Sequence, residues 1–107
     1  MFIIYPELRA SAPGEAITSI SVSGDIITVN DQAYDLSAIP EGAIAEPQGD
    51  HPFVGNIERK NGDLHVRVQW VFDPVNMAPV QPSPTPAVSI SGGAVSDPVL
   101  RQVEANV

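Results

Sequence analysis

The chain of 107 residues has no cysteine, and it has only one tryptophan, two tyrosines and three phenylalanines. The absence of cysteine excludes a disulfide framework, a thiolate zinc site and a cysteine nucleophile. Only 5 lysines and arginines stand against 13 acidic residues, so the formal net charge is -8. We therefore expect no nucleic-acid partner, because contacts to phosphates need clustered basic side chains.

Long apolar runs are also missing. The first run, Phe2 to Tyr5, ends at Pro6, and no basic residue precedes it. A signal peptide needs a longer apolar segment, and a membrane span needs about 18 apolar residues. We expect a protein that is made in the cytoplasm and does not insert into a membrane.

The first half of the chain has the alternation of half-buried strands. Phe2 to Tyr5 are β-branched or aromatic and predict a strand, whereas residues 6–16 hold two prolines and a glycine and predict a loop. The runs that follow are separated by Ser23-Gly24-Asp25 and Asn30-Asp31-Gln32, which are typical turn sequences. They predict a three-stranded meander over residues 17–22, 26–29 and 33–36.

A second hairpin is predicted after a connecting loop at residues 43–52. Residues 53–60 lead into Asn61-Gly62, the dipeptide that best fits a type I′ turn. In residues 64–71 the apolar side chains alternate with histidine, arginine and glutamine, as in an antiparallel sheet with one wet face. The fold class predicted from these patterns is all-β, a small antiparallel hairpin and meander domain.

The composition changes after Phe72. Five prolines fall within residues 74–86, and such a stretch favours an extended, polyproline II-like chain. We therefore divide the chain into a small β domain, residues 1–72, and an extended Pro-rich C-terminal arm, residues 73–107.

Within this arm the sequence predicts two short elements. Residues 87–91 alternate and predict a strand that Gly92-Gly93 should stop. Asp97-Pro98 can open a short terminal helix, with Asp97 as its N-cap and Pro98 at its first position.

Catalytic and metal-binding chemistry is weakly supported. The two histidines, His51 and His65, lie in a predicted loop and on the polar face of a predicted strand. Two such ligands do not make a metal site. No serine lies in a Gly-x-Ser-x-Gly turn, and Gly92-Gly93 is not followed by the Lys-Ser/Thr of a phosphate-binding loop. We expect no catalytic residue, no metal and no cofactor.

Charge is distributed unevenly along the chain. Residues 10–57 contain seven acidic residues and no lysine or arginine, and three of the five bases follow as Arg59, Lys60 and Arg67. These bases either pair with acids of the same chain, or they leave an acidic surface that faces a basic partner.

The arm suggests binding to another chain, because polyproline II segments and short strands are recognised at grooves and exposed sheet edges. The alternative is an arm that folds back on its own sheet. Trp70 lies on the apolar side of its strand and belongs either to the core or to an interface. The candidate interaction residues are Trp70, Phe72, Pro79, Pro82, Pro84, Val88 and Ile90.

The middle of the chain resembles a family of small phage and prophage proteins encoded in the tail region. The resemblance covers about residues 17–72. It lies in the run Tyr-Asp-Leu-Ser-Ala-Ile-Pro-Glu-Gly-Ala (residues 34–43), in Phe53-Val54-Gly55, in Ile57-Glu58-Arg59 and in Asn61-Gly62-Asp63-Leu64. The sequence departs from the family pattern at residues 69–74, and the arm is not matched.

The resemblance implies a virion structural protein, synthesised in the host cytoplasm and located in the tail. Its function would be that of an adaptor or minor component of the tail or baseplate, bound to larger tail or fibre proteins in a multi-chain assembly. Two alternatives stay open: a tail-fibre assembly chaperone that is absent from the mature virion, and a carbohydrate-binding module. An enzyme is the least supported class.

Overall fold

The computed structural model describes residues 1–75, 78, 81, 82 and 85–99. Within these residues the chain forms nine strands and no helix. The strands are β1 (Phe2–Ala10), β2 (Ile20–Ser23), β3 (Ile26–Val29), β4 (Gln32–Asp35), β5 (Ile44–Ala45), β6 (Ile57–Lys60), β7 (Asp63–Phe72), β8 (Val88–Ile90) and β9 (Gly92–Ala94).

The strands form two sheets. The five-stranded sheet has the order β5-β6-β7-β1-β8, and the four-stranded sheet has the order β4-β3-β2-β9. Neighbouring strands are antiparallel except β1 and β7, which are parallel. The all-β class is confirmed, whereas the parallel pair was not predicted.

The predicted meander is present as β2, β3 and β4. The first turn lies at Gly24, and the second places Asn30 and Asp31 at φ of 48° and 68°. These are the two positive φ values of a type I′ hairpin, whose twist matches that of the flanking strands. Ile20 and Val22 point into the core, and Ser21 and Ser23 point to solvent, as their alternation predicts.

The second hairpin is also confirmed, although its first strand covers Ile57–Lys60 and not the predicted residues 53–60. Asn61 and Gly62 have φ of 54° and 81°, and Lys60 pairs with Asp63 across them. On β7 the alternating residues from Leu64 to Trp70 are buried. The preceding segment, predicted as part of a loop, contains the short strand β5.

Strand β1 is longer than predicted and continues through Pro6 to Ala10. Leu64 N–H donates to Met1 O, and Ser11 N–H donates to Phe72 O. The backbone N–H and C=O groups of the odd-numbered residues of β1 therefore point toward β7. The nitrogen of Pro6 therefore faces the opposite edge, where β8 pairs only with residues 2–4. A proline is tolerated at such a position because no ladder hydrogen bond is lost.

Residues 85–99 of the predicted arm pack on their own chain. Strand β8 pairs with β1 and β9 pairs with β2, so this stretch joins the edges of both sheets. This is the arrangement of the alternative, an arm folded back on its own sheets. Binding of the arm to another chain stays a prediction. Gly92-Gly93 does not end the strand region but forms most of β9.

The core lies between the two sheets. It contains residues from both sheets together with Val95 and Val99, which are 9% and 4% exposed and follow β9. Val99 N–H donates a 2.9 Å hydrogen bond to Asp97 Oδ1, as in an Asx turn, and Pro98 and Val99 are not helical. The rest of the predicted terminal helix lies outside the described residues. Residues of the described part form no helix that could cross a membrane.

Candidate protein interface

Strand β4 is the longest outermost strand of the described residues. The other outermost strands are β5, with two residues, and β8 and β9, with three each. Strand β4 has four residues, of which Gln32, Ala33 and Asp35 are exposed and Tyr34 is half-buried. An outermost strand presents unpaired backbone groups that can pair with another chain.

The pairing of β4 with β3 determines which backbone groups are available. Leu36 N–H donates to Asp25 O at 2.9 Å, so this pair is a hydrogen-bonded one, and hydrogen-bonded and non-bonded pairs alternate along an antiparallel ladder. Tyr34 is therefore bonded to β3. The N–H and C=O groups of Ala33 and Asp35 point away from β3, and no described residue covers them.

A groove of about 370 Å³ runs beside this edge. Tyr34 lies in its wall, and the loop that carries Asp50, His51 and Pro52 lies opposite. The Tyr34 ring meets the Phe53 ring edge-on at 5.1 Å, and the His51 ring stacks on Phe53 at 6.0 Å. Because the buried Phe53 ring fixes both walls, the groove is already formed in the isolated chain.

The same loop is held by two kinds of contact. Phe53 N–H donates to His51 Nδ1 at 3.2 Å, and Phe53 forms a β-bridge with Val68 of β7. His51 Nδ1 is thus the acceptor, and its ring proton lies on Nε2.

The charge around the edge is negative. Asp31 lies in the β3–β4 turn, Asp35 ends β4, and Asp50 lines the groove. The Ser37 hydroxyl and N–H groups keep the pKa of Asp35 below its usual value, because both donate to the charged carboxylate. This surface therefore stays acidic near neutral pH.

Arg59 joins the meander to the second hairpin. Its Nε donates to Ile39 O at 2.5 Å, and Nη2 contacts Asp25 Oδ2 at 3.2 Å and Leu36 O at 3.4 Å. The side chain is only 15% exposed. Next to it, Glu41 accepts a hydrogen bond from Gly62 N–H at 2.8 Å. Sequence reasoning missed this joint, although the Tyr34–Ala43 run and the Arg59 and Asn-Gly motifs contain all of its residues except Asp25, which lies in the predicted Ser23-Gly24-Asp25 turn.

Two further bases, Arg67 and Arg9, also pair within the chain. Arg67 contacts Glu7 at 3.5 Å, and Arg9 contacts Glu15 at 2.5 Å. Intramolecular pairing, the first of the two alternatives considered for the basic residues, holds for Arg59 and Arg67, whereas the ion pairs of the described residues do not include Lys60. The acids that line the β4 edge take no part in the ion pairs of the described residues.

A second surface lies on the outer face of β1 and β7. Tyr5 OH and His65 Nδ1 are 3.1 Å apart, their rings stack at 6.0 Å, and the Arg67 guanidinium lies 5.3 Å from the centre of the Tyr5 ring. A shallow pocket of about 250 Å³ adjoins them, with Glu58 in its lining. The polar groups of this face largely satisfy one another.

The predicted interaction residues are not brought together into one site. Trp70 and Phe72 are 3% and 8% exposed and belong to the core. Val88 and Ile90 lie in β8, half-buried and packed against that core. Pro82 is exposed, and Pro79 and Pro84 lie outside the described residues. The arrangement of residues 1–75 and 85–99 contains no cluster of three or more His, Asp or Glu that could hold a metal.

No protein-family model, no curated protein and no solved structure matches the chain.

Proposed function

We propose that the protein is a structural component of a phage tail or baseplate, an adaptor that binds larger tail or fibre proteins. The observation that carries this proposal is the joint around Arg59 and Glu41. The segments that resemble the phage tail-region proteins meet there. Arg59 bonds to the Ile39 carbonyl and to Asp25 of the first turn, and Glu41 bonds to the Gly62 N–H. Such residues maintain a shape, which is what an adaptor requires.

The edges of the two sheets support the same function. One pair of edges is occupied by β8 and β9, whereas β4 offers backbone groups that no described residue covers. A rigid body with an open edge can join a larger assembly by strand addition. A net charge of -8 keeps such a body soluble before assembly and steers it toward basic surfaces.

A carbohydrate-binding module is less well supported. Sugar recognition of this kind needs two or more exposed aromatic rings on one face, and four of the six aromatic side chains are buried. The two half-buried rings, Tyr5 and Tyr34, lie in different sheets. A tail-fibre assembly chaperone would use the same binding surfaces as an adaptor. The two functions are distinguished by whether the chain is present in finished particles.

The proposal is tested on particles purified from the phage or induced prophage whose genome carries the coding sequence. Quantitative mass spectrometry should detect the chain at a fixed ratio to the major tail protein, and the ratio should survive repeated density-gradient purification. An abundant host cytoplasmic protein, followed in the same fractions, measures contamination.

Two results would contradict the adaptor. A chain that is required for tail formation but is removed with the host protein during purification is a chaperone. A deletion that leaves complete, infectious particles of unchanged composition shows that the chain is no part of the tail.

A further inference from the structure

We propose that the open edge of β4 is the docking site for a partner and that the partner contributes an extended segment with basic side chains. This inference rests on the proposed adaptor function and adds to it the place and the chemistry of binding. Two observations carry it: the backbone groups that face outward from β4, and the negative charge beside them, with Asp50 in the groove and Asp31 and Asp35 along the edge.

The first observation fixes the mode of binding. Ala33 and Asp35 each direct an N–H and a C=O away from β3, two residues apart on an exposed strand. This spacing is the hydrogen-bonding repeat of one further strand in a sheet. An incoming segment would thus become a fifth strand of the four-stranded sheet.

The groove would contact every second side chain of that segment. Side chains of an added strand point to opposite faces in turn, and every second one would reach the side of β4 on which Tyr34 lies. A lysine or arginine there can lay its aliphatic stem along the Tyr34 and His51 rings and place its charge near Asp50.

Charge argues against a second copy of this chain as the occupant. Pairing of two β4 edges would bring the Asp31 and Asp35 carboxylates of both copies together, and like charges across strands are destabilising. Residues 10–57 contain no lysine or arginine that could offset them. A basic segment of another protein makes the opposite, favourable contact.

The test uses the full chain and a blocked octapeptide of alternating lysine and valine. In a ¹H–¹⁵N NMR titration, the amides of Ala33 and Asp35 should shift and should exchange with solvent at least about tenfold more slowly when the peptide is bound. The Tyr34 amide, which is bonded to β3, should change little in exchange. The matched peptide of alternating glutamate and valine should not bind.

Three variants localise the binding. Ala33→Pro removes the outward N–H without breaking a bond to β3, and Asp50→Lys reverses the charge of the groove; each should weaken peptide binding at least about tenfold. Glu7→Lys makes the same change in net charge on β1 of the other sheet and should weaken binding less than about twofold. Dispersed amide spectra establish that each variant is folded. If Ala33→Pro does not fold, the peptide affinity of Asp50→Lys alone tests the β4 site.

Several results would overturn this inference. They are protection of amides elsewhere than on β4, equal binding of the glutamate peptide, full binding by Asp50→Lys, or a dimer in sedimentation that Ala33→Pro abolishes. If a folded Ala33→Pro chain enters particles at normal copy number, the β4 docking site is contradicted, but the adaptor function is not. If the wild-type chain is absent from particles, the adaptor function is contradicted, and the peptide titration still tests whether the β4 edge binds a basic segment.

Discussion

The carboxylate of Glu41 accepts a hydrogen bond of 2.8 Å from the backbone N–H of Gly62, 21 positions further along the chain. Gly62 lies in the turn of the second hairpin, and Glu41 lies in the loop that leaves the meander. The contact is reinforced by backbone hydrogen bonds from Gly42 N–H to Arg59 O and from Arg59 N–H to Ala43 O. The hairpin therefore has a fixed position relative to the meander, and the guanidinium of Arg59 lies at the same place.

Arg59→Gln should destabilise the protein by about 2 kcal/mol or more, because it leaves the Ile39 carbonyl and the Asp25 carboxylate without a partly buried charged donor. Arg67→Gln is the matched control. Arg67 is 48% exposed and its contact with Glu7 is long, at 3.5 Å, so this change should cost less than about 1 kcal/mol. Urea denaturation measures both, and equal costs would contradict a structural role for Arg59.

Gly62→Ala should cost about 1–2 kcal/mol, and Gly62→Val should cost more, because the φ of 81° places an L-residue in the left-handed region. Gly92→Ala is the matched control. A Cβ at Gly92 meets only Val22 O, at the ordinary distance of 3.8 Å, and its effect should stay within about 0.5 kcal/mol. Thermal denaturation compares the variants, and a Gly92 variant as unstable as the Gly62 variants would show that the turn is not the cause.

Thr18→Val should destabilise the protein by about 1–3 kcal/mol. Thr18 is 7% exposed, and its Oγ1 accepts a 2.8 Å hydrogen bond from Val71 N–H, while its own N–H donates to Val71 O. Valine has the same shape but leaves the buried Val71 N–H without an acceptor. Thr18→Ser keeps the hydroxyl and should be the milder change in the same denaturation experiment, and the reverse order would contradict the hydrogen-bond explanation.

The hairpins were predictable from the sequence because their signals are local. Alternation and turn dipeptides such as Asn61-Gly62 determine a strand pair over a few residues, and the structure has both units where they were expected. The pairing of β1 with β7 joins residues more than 60 positions apart, and no local pattern encodes it. Pro6 was interpreted as a strand breaker because the direction of its nitrogen depends on that distant pairing.

The candidate interface was less predictable for a related reason. The acidic stretch 10–57 was visible in the sequence, but which strand would be outermost depends on the order of strands in both sheets. Trp70 is a typical interface anchor by residue type, yet its place on the inner face of β7 makes it part of the core. The outermost position of β4 follows only from the topology.

The Glu15 carboxyl should titrate at a pH of about 2. Hydrogen bonds from Arg9, and then from Ala12 N–H, lower its pKa from 4.5 to about 2. Since the folded-state pKa lies below the ordinary value, the stabilisation is present above about pH 4.5 and is lost as the pH falls through about 2. Carboxyl ¹³C NMR should show this midpoint, and Arg9→Gln should raise it. Lys60→Gln should leave it unchanged, and an unchanged midpoint in Arg9→Gln would contradict the assignment.

Truncation after Phe72 should abolish the folded state, whereas truncation after Val99 should preserve it. The shorter chain loses β8 and β9, which exposes the paired edges of β1 and β2. It also loses the buried side chains of Val95 and Val99, each worth about 1.5–3 kcal/mol. The free energy of unfolding of a domain of this size is only about 5–15 kcal/mol, so the lost stabilisation is comparable to the total stability.

Circular dichroism and amide dispersion distinguish the two truncated chains. In the full chain, proteinase K should leave residues 88–95 protected together with β1 and β2, since the backbone of these strands is engaged in both ladders. A resistant fragment that ends near residue 72, or a cooperatively folded 1–72 chain, would mean that the hairpins form a domain by themselves. Strands β8 and β9 would then be an accessory to the fold, and their place at the edges of β1 and β2 would be open to a partner's strand.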